Sequence, residues 1–129
     1  MDLALGTSTH PFISIGKATE AARKAVTLDD HNADAHLLMS YIFVMRKEHE
    51  KAIAEMKRAI ALNPNNADAY NFLGYFLFLS GRPMEGIGFM EKSIRLNPFP
   101  PSFYLHHLGH VYRGAGLYHK AIASYNKSH

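Results

Sequence analysis

The sequence predicts an all-α chain in which antiparallel helical hairpins stack into a solenoid. Three observations carry this expectation. Pro64 and Pro98 lie 34 residues apart, and Ala67-Asp68-Ala69 repeats Ala33-Asp34-Ala35 at the same interval. Ala52, Gly86 and Ala121 keep the phase once one extra residue is allowed near Pro100 and Pro101. A period of that length marks a repeat architecture. Within each period, apolar residues recur at helical spacing over two stretches of about 14 residues, separated by a short polar or Gly-containing break. Finally, Ser40, Gly74 and Gly109 in the first helices, and Ala52, Gly86 and Ala121 in the second, are small where the two helices of a hairpin must approach closely.

Taken in chain order, residues 1–14 read as an irregular N-terminal segment and residues 15–128 as one repeat domain. The domain divides into a partial repeat at 15–32, full repeats at 33–66 and 67–100, and a third at 101–128 that stops without a capping helix. Helices are expected over 15–28, 33–46, 49–62, 67–80, 83–96, 102–114 and 117–128. In the partial repeat, Ala18 and Ala25 fall at the small phases. Asn32, Asn66 and Ser102 are the expected N-caps, since a short polar side chain there accepts from an unpaired backbone N–H. Pro83 suits a first helical turn, and Pro64 and Pro98 follow the helices they end. Glycine inside a helix costs about 1 kcal/mol. Gly74 and Gly109 therefore read as close-contact residues, and Gly86 with Gly88 as a loosening of the fifth helix. The apolar face of the third unit has no cover in this sequence, which is expected either of a piece of a longer protein or of a self-associating chain.

Composition narrows the function. With 129 residues and 47% hydrophobic content the chain can build a real core, and with no Cys it has neither disulfides nor thiolate chemistry. Asp2, the lack of a basic leader and Pro11 make Met1–Ser14 a poor signal peptide, and no apolar run spans a membrane, so a cytoplasmic protein with no membrane contact is expected. The net charge of +3 is spread among acidic residues, as in RKEHEKAIAEMKR, which reads as a solvated helix face and not as a nucleic-acid footprint. No nucleophile elbow, phosphate loop, dinucleotide fingerprint or acid pair in a recognisable context occurs, so no enzyme activity and no cofactor are expected. His106 and His110 share a helix face at a spacing known for zinc ligands. No acidic ligand in that helix completes a set, and no metal is expected.

The residues YNFLGYFL, Gly86, Met90 and Pro98 fit the pattern W-x2-L-G-x2-Y, A-x3-F, P, as do LHHLGHVY with Ala121 and Tyr125, and HLLMSYIF with Ala52, Met56 and Pro64. Over 33–128 the chain thus resembles the tetratricopeptide-repeat (TPR) family. The resemblance implies a right-handed superhelical solenoid whose first helices line a concave groove for a peptide or helix. The groove stripe then comprises Leu37, Tyr41 and Met45, followed by Asn71, Tyr75 and Phe78, and finally Phe103, His106, His110 and Arg113. The family's carboxylate clamp for chaperone tails is missing, because Leu37, Tyr41, Phe72, Phe103 and His107 occupy its positions. Asn71 is expected to bond a peptide backbone.

LLMSYIFVM and FLGYFLFL are apolar nearly all round, and such helices need cover on both sides. Three kinds of cover are consistent with this. Neighbouring helices pack over more of the stripe than assigned, Met1–Ser14 folds into the channel, or a partner fills it. The partner would be an apolar or aromatic peptide, a helix or a second copy of the chain. The expected function is a protein–protein interaction scaffold. The alternative is an oligomerisation or regulatory segment of a larger multidomain protein, since RLNPFPPSFYLHHLGHVYRGAGLYHKAI also resembles repeat regions attached to bacterial nucleotide cyclases.

Overall fold

In the computed structural model, residues 11–29 and 31–128 are described, and they form seven helices: α1 (Pro11–Leu28), α2 (Ala33–Met45), α3 (His49–Leu62), α4 (Ala67–Leu79), α5 (Pro83–Leu96), α6 (Ser102–Gly114) and α7 (Tyr118–Lys127). Helices α2/α3, α4/α5 and α6/α7 are the antiparallel hairpins. Each second helix also packs on the first helix of the next hairpin, so α1 lies on α2, α3 on α4 and α5 on α6. This is the right-handed solenoid of stacked hairpins expected from the repeat. Within α1 the expected start at 15 moves to Pro11, whose fixed φ and missing N–H suit a first turn, so residues 11–14 are helical. The rest of the irregular N-terminal segment, and most of the fold-back reading built on it, lies outside the described residues.

The same turn closes every hairpin. The N–H groups of Glu48, Arg82 and Leu117 donate back to the carbonyls of Phe43, Leu77 and Tyr112, five residues earlier. The residue before each donor is left-handed, with φ of 61° at Lys47, 89° at Gly81 and 80° at Gly116. This is the Schellman arrangement, which satisfies the last carbonyls of the first helix, and two of its three sites carry the residue that adopts this conformation without strain. Between hairpins, Asn32 and Asn66 cap α2 and α4 by accepting from Ala35 and Ala69 N–H at 3.1 and 3.2 Å. The third junction departs from the expectation. Pro101 takes the cap position, Ser102 is the first helical residue, and no side chain caps α6. With the extra residue counted, Pro101 stands where Asn66 caps α4, and Ser102 stands where Ala67 begins it.

The core runs through the stack as two main clusters. Ala52, Ile53 and Met56 of α3 meet Leu73, Phe76 and Leu77 of α4, and Ile87 and Met90 of α5 meet Leu108, Val111 and Tyr112 of α6. The position occupied by Ile53, Ile87 and Ile122 shows what the stacking accomplishes. Ile53 is 4% exposed under α4 and Ile87 7% exposed under α6, whereas Ile122, over which no described helix packs, is 58% exposed. Burying such a side chain is worth about 1.5–3 kcal/mol, so each hairpin depends on the next for a large share of its stability. His36 is buried, as expected of a core position, and bonds Glu55 at 2.7 Å, while His119 is exposed.

The two helices of the central hairpin approach closely at their glycines. A Cβ on Gly74 would strike the Met90 side chain and the Gly86 carbonyl, and a Cβ on Gly86 would strike the Gly74 carbonyl. Gly86 is thus a contact residue and not a loosening of α5, a role that only Gly88, with open space beside it, could fill. At Gly109 the small residue makes room for the Tyr125 ring, whose Cε1 lies 2.6 Å from a hypothetical Cβ. Gly74→Leu is expected to lower stability by about 3 kcal/mol through overpacking against backbone, read as a fall in melting temperature of roughly 10 °C. An unchanged thermal transition would refute the close-contact role.

Candidate binding surface

The stripe predicted to line the groove is largely a seam between first helices. Tyr41 of α2 packs edge-on against Phe72 of α4 with centroids 5.3 Å apart, and Phe72 meets Phe103 of α6 at 5.8 Å. Tyr75 stacks on His107 of α6 at 4.4 Å, and the Phe78 ring lies where a side chain on Gly114 would be. Leu37 packs against the α3/α4 core cluster. Of the alternatives for covering two all-apolar helices, neighbouring helices therefore account for most of the stripe in the first two units.

Asn71 is the clearest correction. It is fully buried, and its Oδ1 accepts from His107 Nδ1 at 2.8 Å, so it cannot meet a peptide backbone. Among the described residues its Nδ2 has no hydrogen-bond partner. The sequence offered no signal of this, because the hydrogen-bonding ring stands 36 residues away on another repeat. A second cross-repeat bond, unread in the sequence, joins the Tyr104 hydroxyl to the Asp68 carboxylate. Burial and this carboxylate push the Tyr104 phenol well above its ordinary range.

What reaches solvent on this side is narrower. Met45 is 58% exposed and Leu79 39%, at equivalent places where α2 and α4 end, and Tyr41 and Tyr75 are half-buried beside them. In the third unit the cover is partial, from Phe72 of α4 on Phe103 and from Tyr125 of α7 against the rings of His106 and His110. His106 and Arg113 are exposed, Phe103 is half-buried, and His110 Nδ1 is approached by the Tyr125 hydroxyl at 3.1 Å and Arg113 at 3.3 Å. His106 and His110 stand edge to face at 4.7 Å. Burial holds His110 below the usual imidazole range, with His106 and Arg113 adding like-charge repulsion, so the environment is one that opposes a cation. No described helix is long and apolar enough to cross a membrane.

His107 gives the seam a pH dependence. Burial, with smaller contributions from His110 and His106, lowers its pKa to about 4. The folded chain therefore holds a neutral ring, with Nδ1–H donating to Asn71, while the unfolded chain takes up a proton near the ordinary value of 6.5. Protons bind the unfolded state preferentially in that window, so this stabilisation is complete above pH 6.5 and declines as pH falls toward 4, with solvent around the partly buried ring keeping the loss below the full linkage slope. Urea unfolding at pH 7.5 and pH 5 should show the loss, and His107→Gln, which keeps a donor but does not titrate, should remove most of the slope.

Family models agree with the geometry. A TPR repeat model matches residues 40–81, and a second tetratricopeptide repeat model matches residues 104–128. Among solved structures, two crystal structures of MamA superpose with TM-scores of 0.78 at 32% identity, covering 98% of this chain and 73% and 68% of theirs. A MamA RS-1 double mutant superposes with a TM-score of 0.79 at 21% identity over 97% of this chain and 70% of its own, a likeness of fold alone. No curated protein sequence matches the chain. The repeat pattern, the hairpin stack and these likenesses place the chain in the tetratricopeptide-repeat family, with MamA among its relatives.

Proposed function

We propose that the chain is a non-catalytic protein-interaction scaffold whose inner surface, on the side of α2, α4 and α6, takes an apolar or aromatic peptide or helix. The observation that carries this reading is the repeated exposure of Met45 and Leu79 at the C-terminal ends of α2 and α4, flanked by the half-buried rings of Tyr41 and Tyr75. Large apolar side chains in register on one face offer an anchor row to a partner running across the repeats. His106, His110 and Arg113 add polar groups at one end of that row. Truncating Tyr75 and Phe78 would be a poor test, because both hold the seam to α6. Met45→Asp with Leu79→Asp avoids that contact. These variants should retain the far-UV circular dichroism and melting temperature of the parent chain and lose partners recovered by crosslinking and mass spectrometry. Undiminished recovery would refute the inner-surface reading.

A second reading, self-association, is favoured by Ile122 and the neighbouring exposed Tyr118 on α7. A helix from a second copy packed there would bury Ile122 as α4 buries Ile53. Light scattering across a concentration series should then show oligomers that Ile122→Asp dissociates. A concentration-independent monomer would exclude it.

A further inference from the structure

A cavity of about 610 Å³ opens on the opposite, outer layer between α5, α6 and α7. Its origin is visible by comparing the repeats. In the first hairpin the equivalent place holds His36 bonded to Glu55 at 2.7 Å, and in the second it holds Tyr70 stacked on Phe89 with centroids 6.4 Å apart and planes 19° apart. The Lys92 ammonium lies 4.7 Å from the centre of the Tyr70 ring. In the third hairpin the same two positions are Leu105 and Ser124, both lining the cavity, and Lys127 stands where Lys92 does. The two rings are gone while the cation above them is kept. Pro98 and Pro100, from the lengthened junction, form part of the rim.

The charges at this rim are unbalanced. Arg95, Lys120 and Lys127 line it, and among the described residues none of them forms an ion pair. The one carboxylate in the wall, Glu91, already accepts from the Tyr112 hydroxyl at 3.0 Å. An apolar floor under three cations that face a single carboxylate, with Lys120 also 5.8 Å from the centre of the Tyr112 ring, selects a ligand that is aromatic and acidic at once. We propose that this outer cavity binds an acidic peptide segment carrying an aromatic side chain, the ring entering between Leu105 and Ser124 and the flanking carboxylates meeting Arg95, Lys120 and Lys127. The site is independent of the inner-surface reading, since it shares no residue with it.

The chain has no Trp, so a probe peptide can report on itself. The test titrates the full chain into a blocked peptide of one Trp flanked by three Glu on each side, followed by Trp emission. A saturable blue shift that weakens with added salt is expected. Leu105→Tyr with Ser124→Phe, which restores the pair seen in the second hairpin, should weaken binding at least tenfold without lowering the melting temperature. Lys120→Glu with Lys127→Glu should weaken it similarly, and Met45→Asp with Leu79→Asp should leave it unchanged. The proposal is overturned if the filled variant binds as well as the parent chain, if a peptide with Lys in place of Glu binds equally, or if free indole-3-acetate binds as tightly as the peptide. Failure of the filled variant to fold would leave the lysine pair and the control peptides to decide.

Discussion

The backbones of Gly74 and Gly86 touch at the centre of the molecule, and the geometry of the stack follows from that contact. With no side chain on either residue, α4 and α5 approach more closely than any pair bearing Cβ atoms there could. Met90 then fits over Gly74 fully buried, and Ile87 is aimed outward at the next hairpin. The outer hairpins repeat the design with slightly larger partners, Ser40 with Ala52, and Gly109 with Ala121 and the Tyr125 ring. Small residues thus position the large ones, and the large ones join the repeats.

Much of this was legible because it is local. A helical period, a capping Asn, a helix-ending Pro and a small residue at a fixed phase all act within one hairpin, so helices α2 to α6 were placed to within a residue at each end. The misreadings occurred where the deciding neighbour lay in another repeat. Asn71 looked like a groove residue because its own helix turns it away from its hairpin partner, and only α6 explains its burial. Tyr41, Tyr75 and Phe78 were placed on the groove stripe with cover by neighbouring helices left open, and the rings that pack on Tyr41 and Tyr75 likewise belong to other repeats. The cap at Ser102 failed because the position of Asn66, carried forward with the extra residue counted, falls on Pro101, which has no side-chain oxygen to accept a bond.

The outer layer follows an opposite logic. Here the third repeat differs by subtraction, Leu for Tyr and Ser for Phe, and it keeps its fold without that pair because the hairpin is held by its small-residue contacts and by Ile87 of the preceding hairpin packing on α6. Substitutions at this pair are therefore weakly constrained by folding. They offer places where a solenoid can acquire recognition at little cost in stability, which fits the general pattern that one repeat scaffold serves many ends.

The graded burial of Ile53, Ile87 and Ile122 also bears on how the molecule moves. A hairpin clamped on both sides opens only with its neighbours, whereas α6/α7 is clamped on one, and its outer Ile contributes little. The central α4/α5 hairpin, packed on both sides, should accordingly be among the last units to yield. The stack then behaves as a spring with a firm middle, and whatever packs over Ile122 on α7 adds to its stiffness.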